Sequence, residues 1–174
     1  MTKRTLLTAA TALSLLALCG CQTPANGPAT AQRQPSPEEL DAMRQTCQFL
    51  KEAGHYFIAT TDHDQPRVRP FGTVNLFENR LYIQTGRRKN VARQLLANGK
   101  VELCALKGDR WIRISGILVD DNRREPKQAM LDAYPNLKAM YSPDDDNTMV
   151  LFFRPGSVTV TIHSFKDKPV TLNF

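Results

Sequence analysis

The chain has 174 residues, 41% of them hydrophobic, with a formal net charge of +6; that is enough for one domain with a real core and too little for two. Lys3 and Arg4 supply two of those charges. The remaining excess of +4 argues for no nucleic-acid partner, because such binding needs cations gathered on one face as well as present in number.

Residues 1–21 have the parts of a bacterial secretory signal in order, a signal peptide over 1–20 cut before Cys21: Lys3-Arg4, an apolar run from Leu6 to Leu18, then Cys19-Gly20-Cys21. The run is shorter than the roughly 20 residues a transmembrane helix needs. Leu18-Cys19-Gly20-Cys21 resembles a lipobox, which implies lipidation of Cys21 as the new first residue and a lipid anchor in the bacterial envelope. Gln22 after it, where inner-membrane lipoproteins carry Asp, implies the outer membrane, facing the periplasm. An ordinary cleaved signal or a buried apolar helix is the plainer alternative, and Thr2 to Leu7 also looks faintly like a twin-arginine export signal. Residues 21–35 are rich in Pro, Ala, Gln, Thr and Gly without apolar periodicity, the composition of a tether. Random-coil scaling gives such a tether a reach on the order of 20 Å. The folded domain is expected over 36–174.

Ser36-Pro37-Glu38-Glu39 carries a capping box, with proline at the first helical position. Leu40, Met43, Cys47, Leu50 and Lys51 then recur at helical spacing, predicting a helix over 37–52 that Gly54 stops. Strands follow over 56–61, 67–77 and 80–85, the last two joined by a Glu78-Asn79 hairpin turn. In the second, period two puts Arg67, Arg69, Phe71 and Thr73 on one face and Val68, Pro70, Gly72 and Val74 on the other. Pro70 cannot donate to a ladder, so it marks an edge or a bulge.

A helix over 90–97 should bury Val91, Leu95 and Leu96 and stop at Asn98-Gly99. Arg88 and Lys89 sit at its entrance, where free N–H groups and the positive end of the helix dipole already gather. Cations there oppose helix design and favour anion binding. Strands over 101–106 and 111–119 flank a Lys107-Gly108-Asp109 turn, short helices surround Pro135, and strands over 149–153 and 157–165 complete the chain. Six to seven short strands with few helices predict a mainly β domain, an antiparallel closed or partly closed barrel.

The run Gln65-Pro66-Arg67-Val68-Arg69-Pro70-Phe71-Gly72, then Leu81 to Thr85, Arg88-Lys89 with Gln94-Leu95, and Trp111 to Gly116 together resemble the pyridoxamine 5'-phosphate oxidase-like FMN-binding split barrels, particularly the nitroimidazole-reductase-like branch. The resemblance spans about 49–165. It implies a six-stranded antiparallel Greek-key split barrel with flanking helices, a homodimer holding FMN at the subunit interface, and flavin-dependent oxidoreductase activity on a small-molecule substrate. A flavin- or haem-binding envelope lipoprotein of the same fold without turnover is the alternative it leaves open. Carried over by position, Arg69, Pro70, Phe71, Gly72 and Thr73 would lie along the flavin, and Gln84 and Thr85 would meet its ring edge or ribityl chain. Arg88 and Lys89 would hold the phosphate, with Trp111 and Arg113 near the cofactor and the partner subunit. The pattern Arg-x-Val-Leu-Leu-Lys of true pyridoxamine phosphate oxidases is replaced after Arg69, and Lys166 to Phe174 lacks their substrate-phosphate Arg and His, so vitamin B6 oxidation is not expected.

His55, His63 and His163 lack metal-ligand spacing, and Asp144-Asp145-Asp146 lacks the Gly and distal Glu of a calcium loop. No metal is expected. Cys47 on a helical stripe and Cys104 in an apolar strand read as buried free thiols.

Overall fold

The computed structural model describes residues 33–174. The expected signal, Cys21 and most of the tether lie outside the described residues.

The first helix, α1 (Pro37–Ala53), begins at the expected capping box: the Glu39 N–H donates to Ser36 Oγ at 3.2 Å, and the Ser36 N–H donates to the Glu39 carboxylate at 2.7 Å. Gly54, at φ 75°, ends it. Met43, Cys47 and Leu50 are buried as expected, joined by Ala42, Thr46 and Phe49. Lys51 is exposed. A charged head does not enter a core without a partner, so Lys51 only edges the stripe.

Nine strands follow among the described residues: β1 (Tyr56–Asp62), β2 (Gln65–Phe71), β3 (Asn75–Phe77), β4 (Arg80–Gly86), β5 (Lys100–Lys107), β6 (Arg110–Asp120), β7 (Thr148–Phe153), β8 (Thr159–Ser164) and β9 (Val170–Asn173). Helix α2 (Asn90–Ala97) links β4 to β5, and α3 (Arg124–Ala133) with a 3-10 helix, Pro135–Ala139, links β6 to β7. All pairings are antiparallel. The order is β2-β1-β5-β6-β7-β4-β3, with β8 on β6 and β9 on β8.

Strand β6 belongs to both halves of this sheet. Residues 110–117 pair with β5 and 110–115 with β8, whereas 118–120 pair with β7. Gly116 lies between these two uses; a β-carbon there would stand 3.1 Å from the Phe153 ring and 3.2 Å from Val158. One large cluster fills the interior. It runs from Met43, Cys47 and Leu50 of α1 through Ile58, Leu103, Ile112 and Val160 to the C-terminal Phe174. Ile83 of β4 is fully buried in it and stands opposite Leu151 of β7.

The architecture matches the expected class, an antiparallel split barrel with flanking helices, and differs from the expectation in four details. The seven strand segments read from the sequence become nine strands, because the 67–77 run is two strands and Val170–Asn173 adds an edge that the reading missed. Strand β2 pairs with β1 and β3 with β4, so the chain crosses between the two halves at Gly72-Thr73-Val74. The expected alternation holds for Arg69 and Phe71, half-buried, against exposed Val68 and Pro70, but ends where the strand ends: Val74 is buried. In α2, Gln94 and Ala92 are buried and Leu96 is 56% exposed. Cys47 is a buried thiol and Cys104 an exposed one, because Cys104 shares the outward face of its strand with Glu102 and Leu106.

Candidate functional site

Strands β2 and β3 occupy opposite ends of the strand order, yet only three residues separate them. The two edges are therefore held close, and a cleft of about 250 Å³ opens beside the crossover. Arg69, Pro70, Phe71, Gly72 and Thr73 form one wall, Gln84, Thr85, Lys89 and Val91 another, and Leu137, Met140 and Tyr141 a third.

Eight of the eleven residues singled out in the sequence meet here. The crossover is fixed to β4 by Thr73, whose hydroxyl accepts from the Gln84 N–H at 3.1 Å and lies 3.4 Å from the Gln84 carbonyl. From the other side, the Tyr134 hydroxyl lies 3.1 Å from both the N–H and the carbonyl of Val74. The Gln84 side chain is 6% exposed, and neither its Nε2 nor its Oε1 has a hydrogen-bond partner. Burying an amide without partners costs about 1–3 kcal/mol on protein mutational scales, which makes Gln84 the strongest sign of a ligand at this cleft.

Arg69 enters the same cleft from the inner face of β2, opposite Ile58. Its guanidinium donates to Thr60 Oγ1 at 2.6 Å, Gln94 Oε1 at 2.8 Å, the Arg67 carbonyl at 3.2 Å and the Ile58 carbonyl at 3.3 Å. All four acceptors are neutral. Burial first, and then the nearby Arg67 charge, pull its pKa below the ordinary guanidinium value.

The three consecutive cations after Gly86 have separate fates. Arg87 pairs with Asp120 at 2.9 Å, and Arg88 pairs with Asp146 at 3.1 Å on the surface. Lys89 has no ion pair among the described residues and lines the cleft as the N-cap of α2. No side chain caps that helix end, so first-turn N–H groups and the positive end of the dipole remain available beside the Lys89 ammonium. Gly86 is closely packed: a β-carbon would stand 3.3 Å from the Tyr141 hydroxyl and from Asn147 Oδ1. The His55 ring lies over Gly72, 3.5 Å from where a β-carbon would stand.

Three expected residues lie outside the cleft lining. Arg88 is turned to Asp146 by the Asn147 side chain, which accepts from its backbone N–H at 3.1 Å. Trp111 stacks on His163 with ring centroids 4.8 Å apart and a 4° interplanar angle, and Phe165 packs at 5.1 Å. Arg113 donates to Glu102 at 2.7 Å across the β5–β6 ladder. Sequence reasoning missed Val91, Leu137, Met140 and Tyr141 as lining residues. The spacing of Leu137, Met140 and Tyr141 is a helical signal, but nothing local says which surface such a turn will cover. Among the described residues no group of His, Cys, Asp and Glu is arranged to hold a metal.

The comparisons with known proteins agree with this architecture. Residues 41–161 match the family described as pyridoxamine 5'-phosphate oxidase. A NimC/NimA family protein from Clostridium acetobutylicum is 41% identical, with a TM-score of 0.75, covering 78% of this chain and 94% of that one. A pyridoxamine 5'-phosphate oxidase-related, FMN-binding protein from Nostoc punctiforme is 17% identical, with a TM-score of 0.52, covering 80% of this chain and 97% of that one. A haem-binding protein from Mycobacterium smegmatis is 14% identical, with a TM-score of 0.57, covering 81% of this chain and 59% of that one. The last two show a shared fold. No curated protein matches. The match over 41–161 and the 41% identity to a full-length relative place the chain in the pyridoxamine 5'-phosphate oxidase family.

Proposed function

We propose that the cleft binds FMN and that the protein is a flavin-dependent oxidoreductase acting on a small molecule other than pyridoxamine phosphate. The observation that carries this reading is the buried Gln84 amide with both polar atoms unpartnered. An amide of that kind suits a ligand edge that alternates donors and acceptors, as the flavin pyrimidine does. The family relative from Nostoc punctiforme described as FMN binding adds support.

When bound, the flavin ring accepts or gives hydride, and that chemistry belongs to the cofactor. The part of this chain is binding, orientation and charge. Lys89 and the uncapped end of α2 hold the phosphate; Arg88, committed to Asp146, adds only to the surrounding field. Arg69 supplies a fixed cation beside the ring, and Thr85 and Gln84 seat the part between. With Arg69 and Lys89 so engaged, this chain's own part of the lining holds no further Lys or Arg among the described residues.

A homodimer completes the site in this proposal. About 250 Å³ is less than the roughly 300–1,000 Å³ typical of small-molecule sites, so one chain encloses only part of the ligand. On the outward face Phe57 and Leu106 are exposed, at 55% and 64%, with Trp111 opposite Leu106 and Phe165 against Trp111, and the Arg113–Glu102 ion pair lies among them. Exposed aromatic and aliphatic side chains gathered on one face with a charged pair suit an interaction surface. Lipidation at Cys21 would anchor the dimer in the outer membrane, facing the periplasm.

Protein expressed from Gln34 onward, purified and scanned for visible absorption, tests the reading. A flavin spectrum is expected, or its appearance on adding FMN with a rise in Tm. Free FMN at 100 times Kd adds about 2.7 kcal/mol to stability. A haem band, or no Tm response to excess FMN, overturns it. Replacing Cys21 by Ser in the full chain should move the protein from the membrane to the soluble fraction; unchanged fractionation overturns the anchor.

A further inference from the structure

We infer that Gln94 is a positioning residue that holds Arg69 in the cleft while leaving its positive charge uncancelled. The inference rests on the flavin reading above.

Gln94 lies on the buried side of α2, 4% exposed, and has no place in the cleft lining. Its Oε1 accepts from Arg69 at 2.8 Å and from the Thr60 hydroxyl at 2.7 Å. Thr60 Oγ1 in turn accepts from Arg69 at 2.6 Å, closing a three-membered network across β1, β2 and α2. Such a network fixes a guanidinium whose planar fork has little freedom once two of its bonds are set. The Asp62 carboxylate is taken by Arg93 at 3.0 Å and faces Arg67 at 3.9 Å. Asp62 also takes a hydrogen bond from the Gln94 side chain, so the amide stands between that carboxylate and Arg69, and the half-buried cation itself donates only to uncharged acceptors.

The choice of amide over carboxylate matters for a bound flavin. A carboxylate would neutralise Arg69 and would lose the N–H that Gln94 gives Asp62. An amide holds it and leaves the charge directed at the ligand, where it favours the more negative, reduced form. The helix that presents Lys89 therefore also holds the second cation of the cleft, Arg69, through Gln94.

The test compares wild type, Gln94→Glu and Gln94→Met for FMN affinity and for the potential of the bound flavin. Gln94→Glu is expected to bind FMN within about threefold of wild type and to favour the oxidised form about tenfold, a fall of about 30 mV for a two-electron couple. Gln94→Met removes the acceptor and should weaken FMN binding about tenfold; it carries the test if Gln94→Glu fails to fold. A Gln94→Glu potential equal to wild type, or Gln94→Met affinity equal to wild type, overturns the inference. Failure of the wild type to bind FMN would instead overturn the flavin reading, so the two failures are distinct.

Discussion

The Thr73 hydroxyl bridges the N–H and the carbonyl of Gln84, joining the crossover between the two sheet halves to the strand that carries the unpartnered amide. One side chain thereby ties two walls of the cleft together. Replacing Thr73 by Val keeps the shape and removes both bonds. A loss of about 1–3 kcal/mol is expected from leaving partly buried backbone groups unsatisfied. Urea unfolding of the two proteins measures it, and a change under about 0.5 kcal/mol, the usual scatter of neutral surface substitutions, would remove Thr73 from this role.

Lys89→Ala should weaken FMN binding at least tenfold and leave stability nearly unchanged, since Lys89 is exposed and has no ion pair among the described residues. Fluorescence titration of the flavin reads the affinity. Equal Kd values in the two proteins would count against phosphate docking at the α2 entrance.

Gly99→Ala should destabilise the fold without touching the site. A β-carbon at Gly99 would stand 2.4 Å from the Leu118 carbonyl oxygen, while the Gly99 carbonyl accepts from the Leu118 N–H at 2.8 Å. The contact is backbone to backbone and cannot be relieved by a rotamer change. Overpacking of this kind costs about 1–3 kcal/mol, to be read as a lower Tm with FMN affinity retained.

Leu106→Glu places a further charge in the exposed outward face and should convert the proposed dimer to monomer. Sedimentation or light scattering distinguishes the two masses. If wild type and variant have the same mass, that face is not the interface.

Acid stability should depend on Asp121. Burial alone would raise its carboxyl, but hydrogen bonds from Arg123 and Tyr82 outweigh it and hold the pKa below the ordinary value. A depressed carboxylate stabilises the fold above its unfolded pKa, about 3.9, and that contribution is lost as pH falls through the lower folded value. Tyr82 carries the opposite sign: burial, then the bond to Asp121, raises its pKa to about 12. Its contribution is complete below about 10 and lost as pH rises toward the folded value. Asp121→Asn should flatten the acid limb of a stability-versus-pH curve; an unchanged limb would place the acid sensitivity elsewhere.

Local chemistry made much of the molecule legible. The capping box at Ser36 and Glu39, the Gly54 stop, the Glu78-Asn79 turn and the bounds of α2 follow from short-range rules, and the structure has all of them. The sequence also brought forward Arg69 to Thr73, Gln84, Thr85 and Lys89, which meet at one cleft. It could not divide the 67–77 run, because a break in pairing at Gly72 to Val74 depends on which strand lies opposite on each side. Nor could it separate Lys89 from Arg88. Three adjacent cations look alike in a chain, and only the positions of Asp120 and Asp146, far along the sequence, engage two of them. Gln94 reads as one more helical residue until folding sets it against Thr60 and Arg69. The sequence determined the helices and most of the strand-forming segments, since caps, turns and apolar periodicity act over a few residues. Tertiary structure decided which charges stay free and which amide is left unpaired, since both depend on partners that only long-range packing supplies.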